Sequence, residues 1–73
     1  MSELKKIFGK KLRMIRRMRD LSQEQLAEKA SVSSGFISTL ERGLSNASFE
    51  TLQKLAEVLE VEVSEFFTPI EKK

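Results

Sequence analysis

The chain contains neither cysteine nor histidine. Without thiols there is no disulfide framework and no thiolate metal site. Without imidazole the commonest general base and the usual zinc ligand are gone. Proline occurs once, at Pro69, and β-branched alternation is nearly missing, so the chain reads as helix throughout. No apolar run approaches the ~18 residues of a membrane span, and the opening MSELKKIFGKK is too charged for a signal-peptide core. Carboxylates, serines and lysines are present, but no spacing assembles them into a nucleophile–base pair. Catalysis, metal binding and membrane insertion are therefore not expected. There are no internal repeats, low-complexity segments or linkers.

What remains is 73 residues, 40% hydrophobic and 33% charged, which suits one compact domain over 1–73. The net charge of +2 conceals a division. Residues 1–20 hold eight basic side chains against two acidic ones, a balance of +6, while residues 21–73 balance to −4. One end thus suits a polyanionic partner; a solvated helix face is the competing explanation for the basic run.

Periodicity and capping residues divide the chain. A first helix is expected over 2–19, capped by Ser2, with Leu4, Phe8, Leu12 and Ile15 as its apolar stripe. Ser22 and Gln25 fit a capping box for a second helix, with Leu21 stapling onto Leu26. Leu26, Ala27 and Ala30 face inward. Ser31 and Val32 leave room only for a tight turn before Ser33 caps a third helix, which Gly43 ends. This is helix–turn–helix spacing over about 22–42. Ser48 caps a fourth helix with Phe49, Leu52, Leu55, Ala56 and Leu59 on one face. Ser64 caps a last turn, SEFF, and from Pro69 to residue 73 the tail is expected to be mobile.

The third helix, SSGFISTLERG, is unusual. On a helical wheel Ile37 and Leu40 define its inside, with the acid Glu41 close to them. Gly35, Ser38, Thr39 and Arg42 cluster outside within about 100°. A face with such short side chains lets the helix backbone approach another surface closely. A DNA major groove, about 12 Å wide, is one such surface.

The segment LRMIRRMRDLSQEQLAEKASVSSGFISTLERGLSNASFETLQKLAEVLEV resembles the lambda-repressor-like helix–turn–helix family, also called the Cro/C1 or XRE type. The likeness covers roughly residues 7–67 and rests on Arg16, LSQEQLA, FISTLERG and TLQKLAEVLEV in combination. It implies an all-α fold of five helices. It implies a small stand-alone transcriptional regulator, similar to phage repressors or restriction–modification controller proteins. Such a regulator binds double-stranded DNA as a homodimer on a near-palindromic operator, in the cytoplasm and nucleoid of a bacterial or phage-infected cell. No cofactor and no small-molecule ligand are implied. Arg16 matches the arginine that pairs with the acid at Glu41. Gln23 matches a phosphate contact, as do Arg42 and Asn46, with Arg17 and Lys10 as further phosphate candidates on the first helix. Ser34, Gly35, Ser38 and Thr39 match the base readers. None of the four can make the bidentate pairings of Arg, Gln or Asn, so DNA shape should carry a larger share of recognition. Phe36 should pack. Of Phe66, Phe67 and Ile70, together the expected dimer surface, one phenylalanine should cap the core and the remainder supply a self-complementary patch, with simple core closure as the alternative. Ser31 departs from the family's usual turn glycine, and Ala47 from a proline in the following loop. The sparse readers also leave open a protein-interaction module, antitoxin-like or scaffold, that keeps the fold with weak DNA readout.

Overall fold

The computed structural model describes residues 2–68 and residue 70. Apart from Ile70, the tail expected to be mobile lies outside the described residues. Four α-helices follow one another, α1 (Ser2–Met18), α2 (Gln23–Ala30), α3 (Ser34–Glu41) and α4 (Phe49–Leu59), and a 3-10 helix spans Val63–Phe67. No strand occurs among the described residues. The fold is all-α as expected, but its fifth element is a five-residue 3-10 helix rather than an α-helix. Ser64 lies inside it and does not cap it; the capping position falls to Glu62, which makes no side-chain cap bond.

Each boundary has a local cause. α1 stops at Met18, one residue earlier than the periodicity suggests, because Asp20 takes a left-handed backbone (φ 59°) and the Leu21 N–H returns to the Arg16 carbonyl. At α2 the Gln25 N–H donates to Ser22 Oγ at 3.0 Å and the Ser22 N–H to Gln25 Oε1 at 2.8 Å, a complete capping box. Ser31 ends α2 at φ 60°, a conformation that costs serine about 1 kcal/mol more than glycine. Ser33 caps α3 through the Phe36 N–H, and Ser48 caps α4 through the Thr51 N–H. Gly43, at φ 74°, turns the chain out of α3.

The core gathers one face of every element: Phe8, Leu12 and Ile15 from α1, Leu26 from α2, Ile37 and Leu40 from α3, Leu55 and Leu59 from α4, and Phe66. Phe66 meets Phe8 edge-on at 5.3 Å between ring centroids, and Phe67 stacks on Phe8 at 5.7 Å. Two expected core members fall outside. Leu4 lies one turn before Phe8 and is 52% exposed, and Phe49, the first residue of α4, is 67% exposed. Leu4 borders an open hollow with Leu52 and Phe67 rather than packing into the core.

Two contacts fix α1 and were not expected. Gly9 lets α1 cross α3 at backbone distance: a Cβ there would lie 2.5 Å from the Leu40 carbonyl oxygen and 2.7 Å from that of Glu41. Lys11 is buried, and its ammonium donates to Glu65 Oε2 at 3.3 Å and Thr68 Oγ1 at 3.0 Å, tying the C-terminal 3-10 helix to α1. Among the described residues no helix is long and apolar enough to cross a membrane.

Candidate nucleic-acid interface

Glu41 sits on the inner side of α3 with its side chain fully buried. Arg16 approaches it with two donors, Nε to Oε2 at 2.6 Å and an amino group to Oε1 at 3.1 Å. This is the bidentate fork that makes arginine the natural partner of a buried carboxylate. The remaining Arg16 amino group donates to the Leu21 carbonyl at 2.8 Å. Gln23 Nε2 donates to Glu41 Oε1 at 3.0 Å, and Arg13 Nε reaches the same oxygen at 3.4 Å. Burial alone pushes the Glu41 carboxyl up. The hydrogen bonds from Arg16 and Gln23, the Arg16 charge and the Arg13 bond outweigh burial and hold it below the ordinary glutamate value. One carboxylate therefore fixes α3 against the end of α1 and the start of α2.

With its inner side held, α3 leaves its other flank open. Gly35 is exposed, and a Cβ added to it would meet nothing within 4 Å. Ser34, Ser38 and Thr39 are partly exposed. The Thr39 hydroxyl donates to the Gly35 carbonyl at 2.9 Å, which leaves its oxygen free to accept. Arg42 is exposed at the C-cap, where its Nε lies 3.4 Å from the Ser38 carbonyl. Phe36 is partly buried against the core.

Around the Glu41 fork, Arg13, Arg16, Arg17, Ser22, Gln23, Glu24 and Glu41 line an open polar cleft of about 600 Å³. The structure thus brings Gln23 and Arg17 together. Gln23 has an additional duty: one hydrogen of its amide goes to Glu41, and the amide carries a second. Lys10 is exposed on α1. Asn46 is exposed in the loop after α3 and lines a separate hollow of about 220 Å³ with Leu4, Lys5, Phe8, Ala47, Leu52 and Phe67, among others. It does not join the Gln23 cleft.

One expected site residue is corrected. Phe66 is wholly buried within the monomer and presents no surface to a second copy. It is the residue that closes the core. Phe67 is half-buried on Phe8, and Ile70 is 42% exposed. Sequence reasoning passed over Arg13, Gly9 and Lys11. Only Gly9 carried a signal, because a glycine inside a helical pattern usually has a packing reason.

A capped helix, a turn of three residues and a second capped helix with an open, short-chained flank define a helix–turn–helix domain. Residues 12–66 match the family model HTH_3, Helix-turn-helix. The chain belongs to this family, whose members are DNA-binding transcription regulators rather than enzymes. It is 37% identical over 73 residues to the control protein C.MunI of a Mycoplasma species, covering 99% of each chain. The restriction–modification controller protein C.AhdI of Aeromonas hydrophila superposes with a TM-score of 0.83 at 36% identity, over 86% of this chain and 96% of that one. SinR, the master regulator for biofilm formation, solved in complex with DNA and known from Bacillus subtilis, superposes with a TM-score of 0.80 at 34% identity, over 84% of this chain and 98% of the solved one. Several other curated relatives are longer, and the chain spans 35% to 41% of their length.

Proposed function

We propose that this protein is a sequence-specific transcriptional regulator of the controller or repressor kind, acting as a homodimer on a near-palindromic operator in double-stranded DNA. The observation that carries this reading is the contrast between the two sides of α3. The inner side is fixed by the Glu41–Arg16 fork, and the outer side is open at Gly35. Recognition helices of this motif enter the major groove while the preceding helix crosses the phosphate backbone. Names among the relatives, two controller proteins and a regulator solved with DNA, agree with it.

In this reading Thr39 and Ser38 touch base edges, with Ser34 at the start of the helix and Gly35 supplying only closeness of backbone. Without bidentate readers, sequence is recognised in part through DNA shape. Gln23 offers its second amide hydrogen to a phosphate at the positive end of α2, and Arg42, Asn46, Arg17 and Lys10 are the other backbone contacts. Phe67 and Ile70 contribute to the dimer patch. The protein works in the cytoplasm on nucleoid DNA.

Selection of bound sites from random duplexes tests this directly. The expected result is one consensus half-site in inverted repeat, with affinity falling against log salt by about 0.9 per phosphate contact. If selection returns no consensus and the fold instead captures a protein, the domain is an interaction module and this reading is wrong.

A further inference from the structure

Helix α1 carries Lys6, Lys10, Arg13 and Arg17 at steps of four, three and four residues. That spacing places all four on one face, a stripe about 16 Å long. Lys6, Lys10 and Arg17 are exposed and make no ion pair among the described residues, and Arg13 keeps 43% of its side chain exposed while its Nε leans on Glu41. Like charges three and four residues apart oppose helix formation. The stripe is therefore a local cost to α1, relieved by a partner carrying a row of negative charge.

Its two ends meet the motif at both of its limits. At one end, a Cβ on Gly43 would lie 3.3 Å from the Lys6 backbone, so Lys6 stands beside the residue that follows Arg42 at the exit of α3. At the other end, Arg13 and Arg17 share the polar cleft with Gln23 at the entry of α2. The stripe thus runs along the edge of the motif, from one expected phosphate contact to another. Glu60 and Glu65 pair with Arg19 and Lys11, which lie off the stripe, while Glu24 is the exposed acid that shares the cleft with Arg13 and Arg17.

We infer that Lys6, Lys10, Arg13 and Arg17 form a track for the DNA phosphate backbone along α1, gripping duplex beyond the bases that α3 reads. The inference rests on the DNA-binding reading above and extends it. The track is blind to sequence, because it meets only phosphate. It lengthens the duplex needed for full affinity and steepens the salt dependence.

The probes are duplexes carrying the selected half-sites with ~0, ~4 and ~8 flanking base pairs, and a scrambled duplex of the longest length. Binding of the wild type is followed against salt, alongside a Lys6→Gln/Lys10→Gln double variant and Lys54→Gln as a single-charge control exposed on α4. Wild-type affinity should rise with flank length. The double variant should lose that rise and reduce the salt slope by about 1.8 on specific and scrambled duplexes alike, while its far-ultraviolet circular dichroism stays helical. Lys54→Gln should keep both the rise and the slope. Tight binding to the shortest duplex with no gain from flanks, or an equal loss of slope in Lys54→Gln, overturns the track and leaves the DNA-binding reading standing. Failure to bind any selected duplex overturns both.

Discussion

Removing the carboxylate of Glu41 strands the Arg16 guanidinium, whose side chain is only 9% exposed, together with the Gln23 and Arg13 donors. Breaking a buried pair from one side costs about 3–5 kcal/mol. A domain of this size holds about 4–11 kcal/mol in total. Glu41→Ala should therefore remove from about a quarter to all of the domain's stability, as read from urea midpoints by circular dichroism. The same group sets a pH dependence. Its folded-state pKa lies below the unfolded value, so its contribution is fully present above about pH 4.3. It is lost as the pH falls through the lower, folded value. Glu41→Gln keeps the shape but not the charge. Its deficit against the wild type should be largest at neutral pH and should close steadily in acid. Urea midpoints from pH 7 to pH 2.5 measure this, and a deficit independent of pH would show that the fork works by packing alone.

At the scale of elements, two glycines in helices should respond with opposite sign to the same substitution. Alanine ordinarily gains up to about 1 kcal/mol over glycine in a helix. At Gly35 the added methyl meets open space, so Gly35→Ala should raise the melting temperature by a few degrees. On the proposed function it should also weaken operator binding, because the methyl would then stand between α3 and the groove. At Gly9 the methyl would meet the backbone oxygens of Leu40 and Glu41 at 2.5 and 2.7 Å. Overpacking there should cost a net ~1–3 kcal/mol, and moving the end of α3 should weaken DNA binding as well. Thermal melts and operator titrations on the two variants separate stability from recognition. The elements also mark what could be read beforehand. Ser22, Ser33 and Ser48 were legible as caps because each closes a bond within three residues of itself. The buried acid on α3 was legible as a charge needing a partner, and the family resemblance pointed to Arg16. The Gln23 bond to Glu41 was not, since it spans 18 positions and depends on how α2 sits against α3. Leu4 and Phe49 misled because a stripe tells which way a side chain points and not whether it ends up covered. The last helix was legible in position but not in type, since five residues do not distinguish α from 3-10 winding.

At the scale of the whole molecule, dimer formation and DNA binding should depend on each other. The domain exposes 4994 Å², and a standard interface covers ~800 Å² of each partner, about a sixth of that surface. With Phe66 sealed inside, the proposed dimer patch is reduced to Phe67 and Ile70. The free protein should therefore dimerise weakly, and an operator holding two half-sites should draw the dimer together by mass action. Ile70 is 42% exposed, so Ile70→Asp should leave the melting temperature unchanged within error. It should lower dimerisation in sedimentation experiments and weaken full operators by ~10²–10⁴, the gain that joining two sites confers. Its affinity for an isolated half-site should match the wild type. DNA geometry gives the matching control: recognition helices of a dimer sit about one turn apart, ~34 Å. Inserting about five base pairs between the half-sites turns them to opposite faces of the duplex. The wild type should then fall to the level of Ile70→Asp on the unaltered operator. If the insertion leaves affinity intact while Ile70→Asp still weakens it, the two copies are not rigidly joined, and Ile70 acts on DNA binding by some route other than a two-fold contact.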